Sequence, residues 1–245
     1  MADDLSHSTS LGSLVDSLQR LNRKERYWLL RNALGQTGAD LPLSRSFLER
    51  LGEEIGKCVS PSAWWAMDYH IDWLFSALVL DFFGGVCPDR FHNPRAVDSE
   101  TVSSGRLIRG TNEDFDLIVA FDRTIILIEA KGVTSWGNKQ IARKCQRLRE
   151  WSELSDQIVP GFKTSSPVEI FVVLMSPKPP SRLDRVDWPT FVKTKDGEPF
   201  RLRLDLADAP EVFLAPERCD ESGLPASMGD CWQLKPLGRP NLDEN

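Results

Sequence analysis

Along this chain the apolar positions first recur at helical spacing, then close up into short dense runs, and finally alternate with polar ones. Leu14, Leu18, Leu21, Trp28 and Leu29 mark out a helical pattern over residues 11–34. It predicts a helix that breaks around Asn22 and ends at Gly35, a residue type suited to the position just past a helix C-terminus. After a turn over residues 38–42, Phe47, Leu48, Leu51 and Ile55 form one stripe of a second helix, from Ser44 to about Cys58. Ser60-Pro61-Ser62 offers a cap for a third helix over residues 63–83, and that segment is apolar almost all round. A helix apolar on every side is expected to be buried.

Residues 84–105 are rich in loop formers, and Arg106–Arg109 is expected to end a first strand. Two β-rich runs, 115–121 and 124–128, then flank Asp122-Arg123. A hairpin turn centred there pairs Phe121 with Thr124. Counting back, Asp116 stands opposite Glu129 and Asp114 opposite Lys131. Side chains alternate across a strand, so Glu129 and Lys131 share one face and Ala130 points to the other. Both faces of the two runs are otherwise apolar, which belongs to strands covered on both sides. A charged helix over residues 138–154 follows, with Ile141, Cys145 and Leu148 as its inner stripe and Lys139, Arg143 and Arg147 expected to face outward. The run 167–175 reads as a further buried strand, and residues 200–206 alternate as a half-exposed one. Residues 211–214 suggest one more. The first ten and last few residues are expected to be disordered.

These elements predict an α/β protein with a mixed sheet, in three parts: a helical N-terminal appendage (1–60), an α/β core (61–180) and a small β-rich C-terminal extension (181–245). A chain of 245 residues is long enough to bury a substantial core. Its five cysteines, an odd number without paired short spacings, do not read as a disulfide framework or a zinc site. Three histidines leave little for a histidine-based centre, and the glycine-rich phosphate, dinucleotide and serine-hydrolase motifs are absent. With no signal peptide and no long apolar span, the expectation is a soluble cytoplasmic protein without a membrane partner.

The chemistry gathers at the open end of the hairpin. Directly opposed strand residues have Cβ atoms roughly 4.5–5.5 Å apart, so carboxylates at 116 and 129 should repel unless something positive sits between them. Asp68 and Asp72, one turn apart on the expected third helix, need a partner too. An Arg or Lys from the first helix or nearby His70 could serve Asp72, and so could a metal site. The acid on one strand, Glu129-Ala130-Lys131 on the next and Lys139-Gln140 opening the following helix resemble the PD-(D/E)xK nuclease superfamily. The proline that names the motif is missing, with Phe115 before the acid. The resemblance covers roughly residues 62–177.

That resemblance implies a restriction-endonuclease-like αβββαβ core and a hydrolase acting on nucleic acid, DNA before RNA. Asp116, Glu129 and the Ala130 carbonyl would hold Mg²⁺ or Mn²⁺, with Asp72 as a candidate further ligand. Lys131 would polarise the attacking water, and Gln140 or Lys139 would orient it or the substrate backbone. Lys139, Arg143 and Arg147 would meet phosphates, and cutting both strands of a duplex would favour a homodimer. Two other readings stand beside this one: an ordinary ion-pair cluster at a sheet edge, and a catalytically inactive module of the same fold that binds nucleic acid or protein. The net charge of −6 slightly favours the last. Much of that acidity lies beyond Lys195, however, whereas residues 131–149 hold basic side chains and no acidic one.

Overall fold

The computed structural model describes residues 13–34, 41–86, 90–95, 105–110, 113–132, 136–160, 168–179, 183–184 and 186–238. Helix α1 (Leu14–Leu21) starts at Ser13, whose hydroxyl accepts from the Asp16 N–H while the Asp16 carboxylate accepts from the Ser13 N–H. This reciprocal pair satisfies two amides that the first turn leaves without helical partners. The chain leaves the helix at Asn22, as the apolar spacing predicts, and resumes as α2 (Glu25–Ala33). Gly35, residues 38–40 of the expected turn and both chain ends lie outside the described residues. Helix α3 (Arg45–Ile55) is capped by Ser44 and stops at Gly56, which takes the left-handed φ of +68° that glycine adopts without strain.

The helix expected over residues 63–83 is in fact two elements. Trp64–His70 is a strand, β1, and only Ile71–Phe82 is helical, as α4. A short run apolar on all sides fits a buried strand as well as a buried helix, and the aromatic residues Trp64, Trp65 and Tyr69 suit a pleated surface. β1 pairs antiparallel with β2 (Asp114–Phe121), from Trp64↔Ala120 to His70↔Asp114. It is therefore the first strand of the sheet. Arg106, where that strand was expected to end, makes only an isolated bridge to Arg95.

The hairpin follows the expected register. β2 pairs with β3 (Thr124–Ala130) from Phe121↔Thr124 back to Leu117↔Ile128. Asp122 in the turn has a φ of +48°, a conformation Asp tolerates better than most residues. From β3 the chain crosses through helix α5 (Asn138–Ile158) to β4 (Glu169–Ser176), which lies parallel to β3. Parallel neighbours require such a crossover, and it brings α5 back over the sheet. Two short strands, β5 (Val192–Lys193) and β6 (Phe200–Arg203), both pair parallel with β4. They come from the expected C-terminal extension, yet they complete the core sheet. β7 (Val212–Cys219) and β8 (Cys231–Gly238) form a separate antiparallel pair.

The result is a mixed α/β architecture whose central strands are buried on both faces: Ile118, Val119, Ala120, Ile125, Ile126, Leu127 and Ile128 are almost wholly inaccessible. The N-terminal helices share this core through Leu14, Leu18, Tyr27, Leu48 and Leu51, and the buried Tyr69 hydroxyl donates to the Leu18 carbonyl at 2.9 Å. None of the helices among the described residues is long and apolar enough to cross a membrane.

Arg147 departs most from expectation. It does not face outward with Lys139 and Arg143 but is 1 % exposed. A step of four residues overshoots a helical turn by about 40°, so two steps carry position 147 about 80° away from 139, into the buried stripe of Lys144, Leu148 and Trp151. There its guanidinium meets Asp72 at 2.5 Å, Glu150 at 2.8 Å and the Leu107 carbonyl at 2.6 Å, and lies over the Phe75 ring. Arg147→Met should destabilise the fold by about 3–5 kcal/mol in urea unfolding, since it leaves the buried Asp72 without a cation and takes one of two from Glu150, which keeps Arg109. A loss below about 1 kcal/mol would show the network to be dispensable.

Candidate active site at the open end of the hairpin

Asp116 and Glu129 lie one step beyond the last paired positions of β2 and β3, toward the open end of the hairpin. One Asp116 oxygen, Oδ2, accepts from the Ala130 N–H at 2.6 Å, which ties the carboxylate to the neighbouring strand. Among the described residues its other oxygen has no protein donor. Glu129 is wholly inaccessible to solvent. Its Oε1 accepts from the Gln140 side-chain amide, and its Oε2 from the Lys144 ammonium. Lys131 stands just past β3 with its Nζ 4.0 Å from Glu129 Oε1, its side chain partly exposed. Its backbone N–H donates to the Met175 carbonyl on β4, fixing where the side chain leaves the sheet.

Burial pushes the Glu129 carboxyl above the usual carboxylate range. The adjacent Lys144 charge and hydrogen bond pull it down, Asp116 pushes it up and Lys131 lowers it again. The opposed carboxylates thus feel each other as the register requires. The positive charge that the pair was expected to need is supplied on the Glu129 side alone, by Lys144. On sequence grounds Lys144 was only one of several basic residues on α5. It sits one turn beyond Gln140, and that spacing on the helix after Glu129 is the signal that could have singled it out. Its ammonium also meets the Asp114 carbonyl and lies 4.7 Å from the centroid of the Phe115 ring.

Asp114 does not pair with Lys131. Its carboxylate accepts from Lys24 of the N-terminal helices at 3.1 Å, and the same ammonium stands 3.1 Å from His70 Nε2. Asp72 does not join Asp116 and Glu129 either. One of its oxygens takes Arg147 and the other accepts from the backbone N–H groups of Arg109 and Gly110 at 3.0 and 2.7 Å. The separation of β1 from α4 explains the change, because Asp68 and Asp72 no longer share a helix face. Asp68 instead occupies the position on β1 facing Asp116, between the paired steps Met67↔Leu117 and Tyr69↔Phe115. It adopts a φ of +49°, and its carboxylate turns to Arg26 at 2.9 Å.

Beside Gln140 and Lys144, the two side chains that hold Glu129, opens a cavity of about 400 Å³ lined by Glu113, Asp114, Gly137, Lys139, Gln140, Arg143 and Lys144; Asp116, Glu129 and Lys131 are not among its lining residues. Lys139 and Arg143 are exposed there, as expected, so two of the three predicted phosphate-binding residues stand together and Arg147 does not.

The hairpin mouth holds oxygen donors of the type that a hard divalent cation takes. It offers two carboxylates on adjacent strand ends with the Ala130 peptide between them, and Mg²⁺, which retains several waters, commonly uses one or two protein carboxylates. No group of three or more His, Cys, Asp or Glu placed to hold a metal occurs among the described residues. Holding an ion through Glu129 would mean sharing its oxygens with Gln140 and Lys144. Comparison of the chain with protein-family models, with curated proteins and with solved structures finds no match.

A carboxyl whose pKa is raised on folding contributes stability that is fully present below its unfolded-state pKa and is lost as pH rises through its folded-state value. Glu129→Gln cannot ionise. Its stability relative to wild type should therefore improve between about pH 4 and about pH 7, across the ordinary carboxylate range and upward. Urea midpoints at the two pH values check this, and a gap that does not change would show that folding leaves the Glu129 pKa where it was.

Proposed function

We propose that this chain is a metal-dependent nuclease with a restriction-endonuclease-like core, acting on DNA in preference to RNA. One observation carries the reading: Asp116, Glu129, Lys131 and Gln140 converge at the open end of one buried hairpin and the start of its crossover helix. The sheet supports it in part: β1, β2 and β3 are antiparallel neighbours and β4 follows a crossover helix in parallel, but α4 stands between β1 and β2, where an αβββαβ core runs its three strands in succession.

Asp116, Glu129 and the Ala130 carbonyl would hold Mg²⁺ or Mn²⁺. A divalent ion so placed supplies charge neutralisation at the phosphate and a water acidified toward neutral pH. Gln140 holds Glu129 through Oε1, which fixes how that carboxylate faces the site. Lys131, partly exposed and 4.0 Å from the same oxygen, is placed to hold the attacking water or to offset charge on the phosphate. Lys139 and Arg143, on the outer wall of the cavity, are placed to meet the nucleic-acid backbone.

Asp116→Asn should abolish Mn²⁺-dependent cleavage of plasmid or single-stranded DNA with unfolding unchanged to within about 0.5 kcal/mol. Lys131→Ala should abolish cleavage and keep Mn²⁺ binding. A second reading, a non-catalytic module that only binds nucleic acid, is favoured by Lys144, which balances the Glu129 charge without a metal. Salt-sensitive DNA binding with neither cleavage nor Mn²⁺ uptake would decide for that module.

Both readings place phosphates against Lys139 and Arg143. Each phosphate neutralised should steepen the fall of log affinity with log salt by about 0.7–0.9. Lys139→Gln with Arg143→Gln should flatten that slope by between one and two such steps for every sequence alike, measured by fluorescence anisotropy. A slope equal to that of wild type would mean that nucleic acid approaches from elsewhere.

A further inference from the structure

Lys144 is a cation buried against the carboxylate that would help to hold a metal under the nuclease reading. Its side chain is 6 % exposed, and its ammonium is enclosed by three electron-rich groups: the Glu129 carboxylate, the Asp114 carbonyl and the face of Phe115. Glu129 therefore already has a positive neighbour inside the fold. A divalent ion held by Asp116 and Glu129 would bring a second cation to the fully buried Glu129 carboxylate, next to an ammonium in a region poorly screened by water. The two cations compete for one carboxylate.

We propose that Lys144 is a tethered competitor of the catalytic metal. It holds Glu129 while the site lacks a divalent ion, and must swing away from Oε2 when one is bound. The inference rests on the nuclease reading and deepens it. In the free protein the metal affinity is low because of this ammonium. Lys144 already lines the neighbouring cavity with Asp114, Lys139, Gln140 and Arg143, so its ammonium can turn into that space, and a phosphate arriving there would draw it off Glu129. Loading of metal and arrival of substrate are thereby coupled through one side chain. Lys144 acts here as a positioning residue, through Glu129, and has no role at the reacting atoms.

The test uses the full chain and Mn²⁺ alone, with free Mn²⁺ read by electron paramagnetic resonance. Lys144→Met should bind Mn²⁺ about tenfold or more tightly than wild type, as expected when a neighbouring like charge is removed. Lys144→Arg, which keeps the charge, should not. Adding Asp116→Asn to Lys144→Met should abolish the gain and locate it at this site. Because Lys144→Met leaves a buried carboxylate unpaired and could fail to fold, a second measurement uses the wild-type protein. Acetic anhydride labelling read by mass spectrometry should modify Lys144 several-fold faster with saturating Mn²⁺ than without, relative to exposed Lys139. Mn²⁺ bound equally by wild type and Lys144→Met, or bound while Lys144 stays protected, overturns the competition and leaves the nuclease reading standing. Mn²⁺ bound by neither wild type nor a folded Lys144→Met overturns both.

Discussion

A carboxylate with no access to water, on a strand covered from both sides, is the constraint around which this protein is arranged. An unpaired charge in such a place is very costly, so every neighbour of Glu129 has to answer it. Gln140 and Lys144 answer from one helix, a turn apart, and both must face the sheet to do so. That sets the rotation of α5 about its own axis. Arg147, three residues further on, then points inward as well, and it finds Asp72 and Glu150. The helix thus buries a charged stripe beside its apolar one of Ile141, Cys145, Leu148 and Trp151, and each buried charge has a partner of opposite sign.

The N-terminal helices take part in the same arrangement. Lys24 compensates Asp114 at the mouth of the hairpin, and Arg26 pairs with Asp68. A segment expected to be an appendage therefore removes two negative charges from the edge of the site. With Asp114, Asp68 and Asp72 each committed elsewhere, Asp116 and Glu129 are left as the pair at its centre.

The hairpin was legible in the sequence because three independent signals agree there: a two-residue turn, β-rich runs on both sides and the alternation of side chains. The register followed from the turn alone. Trp64–His70 was illegible because periodicity does not separate a buried strand from a buried helix, and its pairing partner lies some fifty residues away in sequence. Misplacing that strand also misplaced Asp72. The basic face of α5 was half legible. Lys139 and Arg143 lie where helical spacing puts them, whereas Arg147 was lost to the mismatch between a four-residue step and a turn of 3.6. Lys144 escaped notice because spacing shows which residues share a face but not which face turns toward a buried acid. The hairpin β7–β8 was half seen, since Pro216 and Pro236 fall inside its two strands and proline argues against a strand interior.

The way β4 is covered bears on assembly. Its outer edge is shared by β5, two residues long, and β6, four residues long, at different heights along the same strand. Short edge strands are one means by which sheets resist open-ended pairing with other chains. On this side of the sheet a second copy would find no continuous ribbon to extend, only two separated stubs. Any contact with a second copy on this side therefore has to be built from side-chain surfaces rather than by joining sheets across this margin.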